Sequence, residues 1–123
     1  MTLLFEPLEI RGHRLRNRIV APPMASLTST KTGLPTVDTL DNYRPLTESG
    51  VGLAILEHHA VHAEGRTRLR QLLLDRDEVL SYQGDLAGLF SGAGLPALVQ
   101  VNHAGSYVED DDLLDDGWLP KAP

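Results

Sequence analysis

The sequence predicts an α/β chain built on a parallel sheet, and three observations carry that prediction. Two continuous apolar runs bounded by turn signals, Gly52-Leu53-Ala54-Ile55-Leu56-Glu57 and Ala97-Leu98-Val99-Gln100-Val101-Asn102, read as buried strands. A third stretch, Ile19-Val20-Ala21, runs straight into Pro22-Pro23, which no sheet ladder admits. One segment of helical character lies between each successive pair. The order β-α-β-α-β is the pattern of parallel strands joined by right-handed crossovers. Three strands and two helices cannot cover both faces of such a sheet, so the chain reads as an unfinished fold.

Each element has its own justification. Leu8-Glu9-Ile10 and Arg14-Leu15-Arg16 alternate around Gly12-His13 and predict a β-hairpin. A strand over 18–21 follows, and the prolines give it a rigid, extended exit. Residues 26–36, rich in Ser, Thr and Gly, form a loop. Asp38 or Thr39 caps a first helix carrying Leu40, Tyr43 and Leu46. Pro45 removes one ladder hydrogen bond and predicts a kink or a restart there, and Gly50 ends the helix. Gly65-Arg66 marks a turn, and residues 66–75 are an irregular excursion. Asp75 or Asp77 caps a second helix in which Val79, Leu86, Leu89 and Phe90 share a face. Gly84, Gly88 and Gly92 either weaken that helix, by up to about 1 kcal/mol each, or let it approach a neighbour closely. Gly94 and Pro96 stop it. From residue 106 to 123 the chain is an acidic, irregular tail.

Composition narrows the function classes. A chain of 123 residues suffices for one core, and 41% apolar with 23% charged residues is ordinary for a globular domain. No apolar run is long enough to span a bilayer, and the N-terminus lacks the basic start of a signal peptide. A cytoplasmic location is the plain expectation. With no cysteine there is no disulfide, thiolate metal site or cysteine nucleophile. The net charge of −6 is local: of 17 acidic residues, six are Glu109, Asp110, Asp111, Asp112, Asp115 and Asp116, and the other 11 balance the 11 basic residues. No basic patch with interleaved aromatics points to nucleic acid.

Candidate metal ligands are the three histidines His58, His59 and His62. Alternation along a strand puts His58 and His62 on one side and His59 on the other, with no third ligand evident. No metal site is expected. The acidic run does not match a calcium loop, because Leu114 falls where an oxygen ligand is needed when Gly117 takes the turn position. Neither a dinucleotide fingerprint nor a Gly-x-Ser-x-Gly elbow is present.

Five blocks, in order and in register, then carry a resemblance. They are Leu4-Phe5-Glu6-Pro7-Leu8; Leu15 to Ala25 with Asn17-Arg18-Ile19-Val20-Ala21-Pro22-Pro23-Met24; Gly52 to Glu57 with Gly65-Arg66; Asp77-Glu78; and Gln100-Val101-Asn102-His103-Ala104-Gly105. Together they resemble the N-terminal portion of the old yellow enzyme family, the FMN-dependent NADH:flavin oxidoreductases. The resemblance implies the N-terminal part of a (β/α)8 TIM barrel, with residues 1–123 one segment of a single FMN-binding domain. It implies FMN as cofactor, NADH or NADPH as reductant, and an ene-reductase reaction on a small-molecule alkene. Pro22, Pro23, Met24 and Ala25 would lie along the flavin ring, His58 would offer its main chain, and Gln100 its carboxamide, which has both a donor and an acceptor for the ring edge.

Three positions depart from the family pattern. Ala25 stands where Thr or Cys is usual, His58 where a small residue is usual, and Ser106 where an Arg commonly follows. The resemblance places the substrate-binding His pair and the phosphate-binding loops beyond residue 123, so this segment is expected to hold no catalytic residue, and to be inactive and a weak FMN binder alone. Its open sheet predicts self-association or a chain supplying the rest of the barrel. The alternative is a truncated, non-catalytic relative serving as a binding or assembly module.

Overall fold

A computed structural model describes residues 3–107 together with Leu114 and Gly117. The expected acidic tail therefore lies almost wholly outside the described residues. After a short 3-10 turn at Leu3–Phe5, the hairpin forms from β1 (Leu8–Ile10) and β2 (His13–Leu15), paired antiparallel with Leu8 opposite Leu15. Arg11 and Gly12 both have positive φ and make the turn between them. Next come β3 (Val20–Ala21), α1 (Val37–Glu48), β4 (Leu53–Ala60), α2 (Leu80–Gly92) and β5 (Ala97–Asn102). The three later strands form one parallel sheet in the order β3-β4-β5, as predicted.

Several boundaries move for identifiable reasons. β3 is only two residues long, since the amides before it are engaged elsewhere: Arg18 N–H donates to Leu4 C=O (3.0 Å) and Ile19 N–H to Asn17 Oδ1 (3.0 Å), while Ile19 C=O still accepts from Gly52 N–H (2.8 Å). Asn17 also donates through Nδ2 to Gly50 C=O (2.8 Å), and a Cβ on Gly52 would collide with the Asn17 backbone. The cap of α1 is Thr36, not Asp38 or Thr39, with its N–H donating to Thr39 Oγ1 (2.9 Å). Pro45 neither breaks nor restarts α1. It falls near the C-terminal end, where the one ladder bond it removes counts for little beside the packing of Leu40, Tyr43 and Leu46. α2 is entered through a 3-10 turn at Asp77–Val79 flanked by Arg76, so neither Asp75 nor Asp77 serves as its cap. A Cβ on Gly84, Gly88 or Gly92 would meet open space, so these glycines serve no close helix contact among the described residues.

The core lies between the sheet and the two helices. Ala21, Ala54 and Leu56 from the strands meet Tyr43 of α1 and Tyr82, Leu86 and Phe90 of α2, with Leu95 closing one end. Tyr43 and Phe90 pack edge to face at 6.2 Å. The excursion after β4 is less irregular than predicted. Ala60 N–H donates to Leu72 C=O (2.8 Å) and Leu74 N–H to Ala60 C=O (2.9 Å), so residues 72–74 run beside the end of β4 where β3 has already stopped. Leu69, Leu72 and Leu73 are buried there.

Candidate functional site

Parallel strands deliver their C-terminal ends to one side of the sheet, and that end is where a βα architecture places ligands. Here those ends are Ala21, Ala60 and Asn102. Between β4 and β5 the register runs Leu56↔Val99 and then His59↔Val101. Three steps on β4 thus match two on β5, a bulge in which Glu57 and His58 stand against the single residue Gln100. The extra residue reverses the side-chain alternation. His59 joins the helix-facing set of Ala54 and Leu56 and is buried, whereas His58 moves to the face that carries Leu98 and Gln100.

The bulge is anchored by side chains. Glu57 is 2% exposed, and its carboxylate accepts three hydrogen bonds: Oε1 from Ser26 Oγ (2.7 Å) and Tyr43 OH (2.8 Å), and Oε2 from Ser26 N–H (3.0 Å). Glu57 N–H donates back to Tyr43 OH at 3.2 Å. Burial, and next the Glu57 carboxylate, push the Tyr43 phenol well above its ordinary range, so it stays a donor. His59 Nδ1 lies 2.8 Å from Glu57 C=O and is therefore the protonated nitrogen. Burial holds this imidazole below its ordinary pKa, against the smaller pull of Glu57, and it is neutral. From the other side Gln71, also buried, donates from Nε2 to Asn102 Oδ1 (2.6 Å) and His58 C=O (3.4 Å) while Oε1 accepts from Thr67 N–H (2.8 Å). The ends of β4 and β5 are thereby clamped together.

The sequence-derived site residues occupy this end of the sheet. Residues 22–25 continue from β3 and are tied to β4 by Ser26. Across the sheet follow Glu57 and His58, then Gln100. Pro22, Met24, Ala25 and Gln100 are exposed, Met24 at 71%, while Pro23 and His58 are partly covered. The histidines separate: His58 and His59 lie on opposite faces of β4, and His62 accepts from Glu64 N–H through Nδ1 (3.2 Å) at the start of a 3-10 turn. Among the described residues no three His, Asp or Glu side chains could share a metal ion. Sequence reasoning missed Ser26, Tyr43 and Gln71. Only Glu57 carried a signal, as a charged residue closing an apolar run.

The profile of the NADH:flavin oxidoreductase / NADH oxidase family matches residues 3–121. The chain belongs to this family. Among curated relatives, it is 33% identical over 121 residues to an NADH oxidase of Thermoanaerobacter brockii, covering 98% of this chain and 18% of that protein. It is 36% identical over 121 residues to an NADPH dehydrogenase of Geobacillus sp. (strain WCH70), covering 97% and 36% respectively. The chain thus spans between about a fifth and just over a third of these relatives. Solved structures agree on fold. A 2-naphthoyl-CoA reductase complex superposes with TM-score 0.81 at 20% identity, over 87% of this chain and 16% of that one. The old yellow enzyme homologue of Zymomonas mobilis superposes with TM-score 0.77 at 22% identity, over 85% and 29%. The fold is the N-terminal part of an old yellow enzyme barrel, as the sequence predicted, and the family's cofactors are FMN and a nicotinamide nucleotide.

The residues present fit one part of an FMN molecule. Pro22 and Met24 offer exposed apolar surface, and the exposed carboxamide of Gln100 offers a donor and an acceptor. Arg66 Nη1 donates to Lys31 C=O (2.8 Å) and Leu69 C=O (2.9 Å), and Arg70 Nη1 donates to Ser29 C=O (2.9 Å), so each of these guanidiniums gives at least one donor to loop backbone.

Proposed function

We propose that this chain forms one wall of the flavin site of an FMN-dependent NAD(P)H oxidoreductase of ene-reductase type. Pro22, Pro23, Met24 and Ala25 would lie along the ring, His58 would present its main chain, and Gln100 would hydrogen-bond the ring edge. FMN, when bound, supplies hydride transfer from a nicotinamide to an activated alkene. The residues of this chain bind and orient; none of them is a proton donor or acceptor in the reaction. The observation that carries the reading is the bulge at Glu57 and His58, which turns His58 onto the face of Gln100 at the ligand-binding end of the sheet. Ala25 has no hydroxyl or thiol to tune the ring, which favours a modest reactivity.

By itself the chain is proposed to be inactive and to bind FMN weakly, because phosphate contacts supply much of a mononucleotide's affinity. A cytoplasmic location accords with this reading, and no helix among the described residues is long and apolar enough to cross a membrane. The reading is tested by adding FMN to the purified chain and recording both the flavin spectrum and amide NMR. Shifts at Met24, Ala25, His58 and Gln100 with weak, unsaturated binding are expected. Shifts elsewhere would refute the wall, and tight stoichiometric flavin with NAD(P)H oxidation would refute the inactivity.

A second reading, a module that assembles with another chain, is favoured by the exposure of Leu98, Val99 and Val101 on β5. Self-association, or a partner supplying the remaining strands, would cover them.

A further inference from the structure

We infer that Glu57 is the positioning residue of the segment that faces the flavin, residues 22–26, acting on it through Ser26 without touching the cofactor. The inference rests on the flavin reading above. Pro22 and Pro23 have no N–H, so the segment has little with which to fasten itself. Among the described residues, the first hydrogen bond the chain makes after β3, outside the strand ladders, is Ser26 N–H to Glu57 Oε2. Ser26 Oγ–H makes a second bond to the same carboxylate, at Oε1. One buried side chain therefore sets where residues 22–25 lie relative to β4.

The position of the carboxylate is itself determined. Its backbone N–H is held by Tyr43 OH and its C=O by His59 Nδ1, while the phenol also donates to Oε1. Glu57 is moreover a bulge residue and the neighbour of His58. It thus couples two walls, residues 22–25 on one side and His58 with Gln100 on the other. The far end of the loop is secured separately. Ser26 Oγ lies 2.8 Å from Thr28 Oγ1, which donates to Thr39 Oγ1 (3.0 Å) in the first turn of α1.

The chemistry demands a carboxylate. All three of its partners are donors, and both oxygens accept. An amide has one accepting oxygen, so Glu57→Gln must turn an NH2 toward either the Ser26 amide, where that bond is lost, or the two hydroxyls, which must then reverse and accept; either way a donor that the carboxylate satisfied loses its acceptor. Tyr43→Phe removes a donor from the same carboxylate but leaves both Ser26 bonds and the ring packing.

Hydrogen exchange followed by NMR on the full chain separates these roles. Glu57→Gln is expected to speed exchange at the Ser26 amide by about tenfold or more, and to move the Met24 and Ala25 resonances, while core amides such as Leu56 slow or quicken only with global stability. Tyr43→Phe is expected to lower global stability and leave Ser26 protected relative to the core. Unchanged Ser26 exchange in Glu57→Gln, or equal acceleration in Tyr43→Phe, would overturn the assignment. Should Glu57→Gln not fold, Ser26→Ala strips the Oγ–H bond to Oε1 together with the Oγ contacts to Thr28, and leaves the N–H bond to Oε2 in place. Faster exchange of the residue 26 amide then supports the role, and no change overturns it. Adding FMN to the same samples tests the flavin reading separately. Perturbation of Met24 and Ala25 in the wild type and Tyr43→Phe, but not in Glu57→Gln, is expected. If FMN perturbs nothing in the wild type, the flavin reading falls and the exchange data still decide what Glu57 does.

Discussion

β4 and β5 are near-equals in sequence and opposites in environment. Both are apolar runs of parallel strand, yet β4 is buried or half-buried along its whole length, while in β5 only Ala97 and Asn102 are even partly covered. The difference is one of neighbours. β4 has β5 on one edge and β3 followed by residues 72–74 on the other, with α1 and α2 over one face. Among the described residues nothing pairs with the far edge of β5, and Leu98 and Val101 are 57% and 58% exposed. An apolar strand in this chain is thus a statement about what must eventually cover it. Among the described residues that cover is supplied for β4 alone.

The sharpest way to break the comparison is by truncation. Leu56→Ala in β4 is expected to cost about 2–5 kcal/mol, because it leaves a cavity beneath Leu86 and Phe90. Leu98→Ala in β5 is expected to change stability by no more than about 0.5 kcal/mol. Urea denaturation measures both, and equal losses would mean that β5 is covered in solution. Gly65→Ala comes next. Its Cβ would sit 2.5 Å from His103 Cδ2 and 3.1 Å from His103 Cα, at the junction of the two strand ends, and should cost about 1–3 kcal/mol. In contrast, Gly88→Ala on the open side of α2 should stabilise by up to about 1 kcal/mol in a thermal melt.

The buried side of the comparison also predicts a pH dependence. Burial depresses the His59 pKa, so the unfolded chain takes up a proton near its ordinary value of about 6.5 while the folded chain does not. The unfolded state then binds more protons, and stability must fall as pH drops below about 6.5. Melts from pH 8 to 5 should show that slope, and His59→Gln should flatten it. The smallest effect concerns the exposed strand. Val101→Lys should leave the melting temperature nearly unchanged but reduce self-association in sedimentation velocity. A monomer in both proteins would show that the β5 edge is not sticky.

Much of this architecture was legible because it depends on local pattern. The hairpin, the stop of β3 at Pro22 and all six residues of β5 follow from alternation, proline chemistry and apolar runs, although the second hairpin strand is His13–Leu15, one residue before the expected 14–16, because the turn falls at Arg11-Gly12 and not at Gly12-His13. The misreadings have a common cause. Asp38, Thr39, Asp75 and Asp77 are capping residues by type, whereas Thr36 is the cap of α1 because the loop from Ser26 delivers it to Thr39. Pro45 predicts a kink or a restart, and the restart is absent because the packing of Tyr43 outweighs one missing hydrogen bond. Gln71 looked like part of a featureless excursion, yet it joins Asn102 to His58 across 31 and 13 positions of sequence.

By itself the sequence determined which segments are strands, that the three after the hairpin run parallel, and which family they resemble. Those properties reside in short windows and in blocks held in order. It could not decide which face His58 takes, since a single bulged residue in the β4–β5 register reverses the alternation on which that reading depends. Nor could it decide that Glu57 would meet Ser26 and Tyr43, 31 and 14 positions away. Three donors converge on one buried carboxylate only after β3, α1 and β4 have packed. The tertiary structure decided that convergence, because a buried charge is tolerated only where its partners are brought to it.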